Sequence, residues 1–171
     1  MSGIAIRIDD ADLRRAGHAL DALVRDADRA HDLMDEIGAA LVTSVQQRFQ
    51  AGRSPDGDRW TPSRRAARTG GQTLVDRGHL RDSITHAADS RSARVGTNLI
   101  YARIHQLGGQ IRARAGGALA IPLPDGGVAL RKSVTLPARP YLGISADDRE
   151  EIGDIIRERL RDALRRGEAG A

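Results

Sequence analysis

Residues 76–109 read DRGHLRDSITHAADSRSARVGTNLIYARIHQLGG, from Asp76 to Gly109. Gly78 to Ile84 has the spacing of one or two helical turns, with Leu80 and Ile84 on one face. Thr85 to Asp89 and Ser92 to Gly96 read as the two arms of a hairpin turning at Asp89-Ser90. A Gly-Thr-Asn corner follows, and Asn98 is placed to cap a second short helix over residues 99–106, stopped by Gly108-Gly109. In that helix Ile100, Ile104 and Leu107 form an apolar side, and Tyr101 and His105 form another stripe. Two such small helices joined by a hairpin cannot bury themselves, so the flanks must supply a sheet and a larger helix.

Both flanks do. Upstream, Ile4, Ile6 and Ile8 alternate as in a strand with one buried face. Asp9 or Asp10 then opens a helical pattern through Leu13, Ala16, Leu20, Leu23, Val24 and Ala27. It continues, with or without a break near residues 29–32, through Leu33, Met34, Ile37, Leu41, Val45 and Phe49. Arg48 and Gly52 suit its C-terminal end. Downstream, residues 118–130 carry a hairpin signal around Asp125-Gly126-Gly127, and its two prolines put the first arm at an edge. The run Pro137-Ala138-Arg139-Pro140-Tyr141-Leu142-Gly143 is stiff, since each proline fixes its own φ and extends its predecessor. Ser145 caps a terminal helix with Asp147 and Asp148 in its first turn and Ile152, Ile155, Ile156 and Leu160 on its apolar face. Residues 167–171 should fray. The fold class is therefore α+β, a small and mostly antiparallel sheet packed on a long N-terminal helical segment and a C-terminal helix. A long irregular loop and a projecting hairpin complete it.

The chain has 171 residues, the length of one domain, and residues 1–171 are read as one. Without cysteine it can form neither disulfides nor thiolate sites. No apolar run is long enough to span a membrane, and the N-terminus leads straight into a strand, so a location in the cytoplasm is expected. The formal charge is +4, carried almost wholly by arginine, with Lys132 the one lysine. Guanidinium pairs well with carboxylate and phosphate, which allows a polyanion or an acidic protein surface as partner.

Residues 52–72 hold turns at Pro55-Asp56-Gly57, then Trp60, then Arg64, Arg65 and Arg68, and read as a flexible basic loop. Trp60 either pins this loop to its own domain or anchors a neighbouring subunit. Arg64, Arg65 and Arg68, with Arg112 and Arg114, are the candidates to face DNA, by charge alone and without base recognition. Catalytic chemistry finds little support. Asp76, His79 and Asp82 share a three-residue step that could suit a metal, but Asp76 as a helix cap and Asp82 as a solvent carboxylate is the favoured reading. Ser83 near His79 or His86 lacks the strand-to-helix elbow of a nucleophile. His105 is read as a packed, hydrogen-bonded histidine. No cofactor or metal is expected.

Taken in order, these blocks resemble the phage virion morphogenesis family, the tail-completion and head-tail joining proteins of Mu-like and P2-like contractile-tailed phages and prophages. The resemblance lies in Phe49 with Gly52, Ser54-Pro55-Asp56-Gly57 and Trp60; in Leu74, Gly78, Leu80, Ser83 and Ile84; and in Val95-Gly96-Thr97-Asn98. It continues through Tyr101-Ala102, Ile104-His105-Gln106, Gly108-Gly109 and the stiff run from Pro137 to Gly143. It implies a structural protein without a catalytic site, acting at the head-proximal end of a tail, in the neck of the virion, after assembly in the host cytoplasm. It further implies a homo-oligomeric, hexameric ring around the DNA channel, contacting the tail tube, sheath or terminator and the head connector. On that reading Phe49, Pro55, Trp60, Tyr101, His105, Arg139, Pro140 and Tyr141 are the expected subunit-interface residues. The loop at 52–72 and the arm at 118–130 are the segments expected to gain order from a neighbour, and nonspecific DNA binding is the alternative function.

Overall fold

The computed structural model describes residues 4–9, 27–123 and 126–168. The expected helix between Asp10 and Val24 lies outside them, as do residues 169–171. The elements in chain order are β1 (Ile4–Asp9), α1 (Ala27–Ala51), α2 (Arg64–Thr69), α3 (His79–Asp82), β2 (Thr85–Asp89), β3 (Ser92–Thr97), α4 (Ala102–Leu107), β4 (Gly109–Arg112), β5 (Leu119–Pro122), β6 (Val128–Arg131), β7 (Ser133–Leu136) and α5 (Ala146–Glu168). The class is α+β, as the sequence predicts. Its single sheet, however, resolves into three antiparallel pieces: β1-β3-β2, β4-β7 and the hairpin β5-β6.

Helix α1 organises the core. Ala30, Leu33, Met34, Ile37, Leu41, Val45 and Phe49 recur at steps of three and four and are all buried, giving one apolar stripe along 25 residues. It ends at Gly52, whose φ of +65° lets its N–H reach the Arg48 carbonyl at 2.8 Å. Central strand β3 lays Ala93, Val95 and Thr97, all buried, on alternate positions. The β2-β3 register pairs Asp89 with Ser92. Asp89 holds the turn by accepting from the Arg91 and Ser92 backbone N–H groups at 2.8 and 2.9 Å. Where β2 crosses α1, a Cβ on Gly38 would stand 2.6 Å from the His86 ring. His86 Nε2 in turn lies 2.9 Å from Asp35 Oδ1. Helix α5 completes the core with Ile156, while Ile152, Ile155 and Leu160 pack on it.

Three expectations need correction. The second short helix starts at Ala102, and Tyr101 occupies its cap position without a side-chain bond. Asn98 caps nothing there, because Thr97 Oγ1 already takes the Leu99 N–H at 3.2 Å. The apolar side expected to be buried is turned outward: Ile100 is 81% and Leu107 55% exposed. The basic loop, finally, is not irregular throughout. Ser63 accepts from Ala66 N at 3.1 Å and starts α2, Arg53 bridges Arg59, and Trp60 and Ala66 are buried.

Candidate functional site

The segment 137–143 is fastened to α4 largely through Gln106. Gln106 Oε1 accepts from the N–H groups of Tyr141 and Leu142, each at 2.9 Å, and its Nε2 donates to the Leu142 carbonyl at 2.8 Å. Tyr141 Oη donates to the Ala102 carbonyl at 3.1 Å, and burial pushes its hydroxyl pKa up. The two glycines that stop α4 make the approach possible, since a Cβ on Gly108 would lie 2.5 Å from Ala138 N. Replacing Gln106 by leucine strands these backbone groups and is expected to cost about 2–3 kcal/mol. Urea denaturation checks this: a midpoint unchanged from the parent would refute the clamp.

The aromatic rings gather on the same segment. Phe49 stands 5.7 Å from Trp60, edge to face, and 5.0 Å from Tyr141. Trp60 Nε1 donates to the Pro140 carbonyl at 2.9 Å, and Arg139 Nε donates to the Thr61 carbonyl at 2.8 Å. Of the expected interface residues, Phe49, Trp60, Arg139 and Tyr141 thus lie inside their own subunit, all at 6% exposure or less. Pro55 and Pro140 are half-buried, Pro55 beneath Gly143. Trp60 pins its own loop, and cutting out that loop would remove part of the core. The reason is energetic: in a core with so few rings, each is worth most where it is fully enclosed.

Tyr101 and His105 differ. They line a cleft of about 1120 Å³ whose other walls come from residues 61–65 before and in α2, from 74–80, and from β7 with Pro137 and Arg139. Leu74, Leu80, Ile121, Val134 and Leu136 supply apolar surface, and Arg64, Arg65, Arg77, His79, Arg131 and Arg139 supply cations. The one carboxylate of the lining, Asp76, is 3.6 Å from Arg65 Nε. His105 corrects the expectation of a hydrogen-bonded ring, for its Nδ1 is buried without a partner. Burial first, and then the Arg139 charge, lower its pKa; burial lowers that of Arg139 too.

The candidate DNA-facing arginines are not one patch. Arg64 and Arg65 line the cleft, whereas Arg68, Arg112 and Arg114 are exposed elsewhere. Arg65 is structural, donating to the Gln72 and Val75 carbonyls at 2.5 and 2.7 Å. Arg112 Nε donates to Gln110 Oε1 at 2.7 Å.

Ser83 and Asp82, both weighed for catalysis, are engaged otherwise. Ser83 Oγ donates to the Leu80 carbonyl at 2.8 Å and lies 2.8 Å from Thr97 Oγ1. Asp82 is 2.6 Å from Arg81 Nε. Among the described residues no group of histidine and carboxylate side chains could hold a metal, and no helix is long and apolar enough to cross a membrane.

Sequence reading missed the buried pair of Arg48 and Asp148. Asp148 also accepts from Ser44 Oγ and, at 2.6 Å, from Ser145 N, while Ser145 Oγ accepts from Asp148 N at 3.1 Å. The Ser145-x-x-Asp148 pattern was the visible half, a capping box. Its partner lies 100 residues away along the chain. Arg48 also donates to the Tyr141 and Gly143 carbonyls at 3.1 and 2.8 Å.

Comparison with known proteins agrees with the resemblance. The chain is 35% identical over 164 residues to the putative capsid assembly protein G of Escherichia phage Mu, covering 90% of this chain and 94% of the relative. It is 30% identical over 155 residues to the Mu-like prophage FluMu G protein 2 of Haemophilus influenzae, covering 91% and 94%. No solved structure matches it. A model of the phage virion morphogenesis family matches residues 11–161, so with relatives this similar over nearly their full length the chain belongs to that family, and its role is a structural one in building a phage particle.

Proposed function

We propose that the protein completes the head-proximal end of a phage tail and supports its joining to the head, as a subunit of a homo-oligomeric ring around the DNA path. The observation that carries this reading is apolar surface left uncovered by the subunit itself. Ile100 and Leu107 stand out on one side, and Val128 and Leu130 of the β5-β6 arm are 59% and 69% exposed. Side chains of this size on a projecting arm suit burial against a neighbour. Of the contacts expected from the sequence, Trp60 is enclosed in the core, while Tyr101 and the arm remain exposed. Six copies is the number that the resemblance implies, with tail tube, sheath, terminator or head connector proteins above and below. The exposed Arg64, Arg68, Arg112 and Arg114 suit nonspecific contact with DNA passing through the ring.

Deleting the gene from a phage or prophage that carries it is expected to give filled heads and separate tails. Cryo-EM of complete particles is expected to show this chain as a ring between the two. Infectious tailed particles from the deletion, or particles lacking the chain, would refute the proposal.

A further inference from the structure

Charge is spread unevenly over the subunit. Three guanidiniums in the lining of the cleft beside α4 come from separate parts of the chain: Arg64 opens α2, Arg77 precedes α3 and Arg131 ends β6. All three are exposed, and among the described residues no hydrogen bond or ion pair engages their side chains. Arg65 and Arg139 of the same lining differ, since both are taken up by carbonyls of their own subunit. The lining's one carboxylate, Asp76, stands beside Arg65. Leu74, Leu80, Val134 and Leu136 add apolar wall. A cleft of one sign with low-dielectric walls focuses its field and draws an acidic partner.

The complementary surface lies on α5. Asp147, Glu150, Glu151, Asp154 and Glu158 are exposed, and the helical period gathers them into one stripe about 100° wide and about 16 Å long. Ile152, Ile155, Ile156 and Leu160, packed in or on the core, occupy the other side. Asp154 pairs with Arg157 at 2.9 Å, but no ion pair or hydrogen bond engages the other four carboxylates among the described residues. The helix dipole favours Asp147, in the first turn, and fades before Glu150, Glu151 and Glu158. Asp147 with Glu151, Glu150 with Asp154, and Asp154 with Glu158 are like charges four residues apart, which disfavour a helix left alone in water. The stripe therefore costs the isolated subunit stability that a cationic neighbour returns.

We propose that the acidic stripe of α5 in one copy docks against the Arg64, Arg77 and Arg131 rim of the cleft in the next. No residue of α5 lines the cleft. Stripe and rim are thus different surfaces of one chain, and the contact is heterologous and propagates around a ring. A nucleic-acid backbone meets the guanidiniums but leaves the stripe uncompensated, whereas a second copy neutralises both. The proposal rests on the ring reading above and names its charged contact. It assigns Arg64 to that contact and leaves Arg68, Arg112 and Arg114, outside the cleft, for DNA.

The chain has no cysteine, so introduced thiols report without background. Arg77→Cys and Glu151→Cys together in one chain, in phage particles treated with a bismaleimide, are expected to give covalent multimers running beyond the dimer. Either substitution alone gives dimers at most. Particles that contain the doubly substituted chain but yield nothing beyond the dimer overturn the docking and leave the ring reading standing. Parent particles without the chain overturn both. Charge reversal of either surface, by Arg64→Glu with Arg77→Glu or by Glu150→Arg with Glu151→Arg, is expected to lower the yield of joined particles at least about tenfold, as like charges brought face to face do. The four substitutions combined are expected to restore it. A combined variant no better than either pair would overturn the contact. So would a loss confined to the cleft pair, which would make the rim a site for DNA or another anion.

Discussion

Replacing Asp148 by alanine is expected to destabilise the subunit by about 3–5 kcal/mol, because it strands the buried Arg48 guanidinium that the carboxylate neutralises. For a chain of this length that corresponds to a fall in Tm of roughly 6–20 °C. Three parts of the fold meet at this carboxylate. It pairs with α1 through Arg48 and Ser44, caps α5 through Ser145, and through Arg48 holds the Tyr141 and Gly143 carbonyls of the stiff segment. The same pair predicts an acid limb of stability. Burial alone would raise the Asp148 pKa, but the bonds from Ser44 and Ser145 and the Arg48 charge outweigh it, and the net shift is downward. A folded value below the unfolded one of about 3.9 means the unfolded chain binds the proton more readily. The contribution is therefore full above about pH 5 and is lost as pH falls through the folded value. Thermal melts from pH 7 to 2 should show the parent and Asp148→Ala converging in acid. A constant gap between them, or no gap at pH 7, would refute the role given to the pair.

Trp60→Ala is expected to cost about 3–5 kcal/mol as well, the usual loss for a large ring removed from a core. The indole is 6% exposed, stacks edge to face on Phe49 and satisfies the Pro140 carbonyl. Its loss opens a space between the loop and the 137–143 segment. This prediction separates core from interface. As a core residue, Trp60 lowers the unfolding midpoint by the same amount at every protein concentration. A subunit whose melt matched the parent, with assembly alone impaired, would return Trp60 to the contact surface.

Much of the architecture was legible because it follows local rules. The stripe of α1 is a periodicity of side chains within one helix, and the Gly52 stop, the Ser145 cap and the Asp89 turn each join residues a few positions apart. The β2-β3 and β5-β6 hairpins were visible for the same reason. The site was less legible. Trp60, Arg139 and Tyr141 were expected at a subunit contact, Trp60 with a pin to its own loop as the alternative, and the fold buries all three within the subunit, since a sequence shows that a ring must be enclosed and not by what. The apolar face of Ile100, Ile104 and Leu107 misled in the opposite direction. Its period is helical, but α4 starts only at Ala102, which it buries, and leaves Ile100 before it and Leu107 at its end in solvent.

The sequence by itself determined an α+β chain built on one long amphipathic helix, and the order of its motifs pointed to a virion assembly protein. Tertiary structure alone decided that Arg48 meets Asp148, that Trp60 faces inward, and that Arg139 and His105 share a cleft whose one carboxylate, Asp76, stands beside Arg65. Helix period, turn chemistry and caps act over a few residues and leave their mark in neighbouring letters. Charge pairing and burial act through space between residues far apart in the chain, and only folding brings those together.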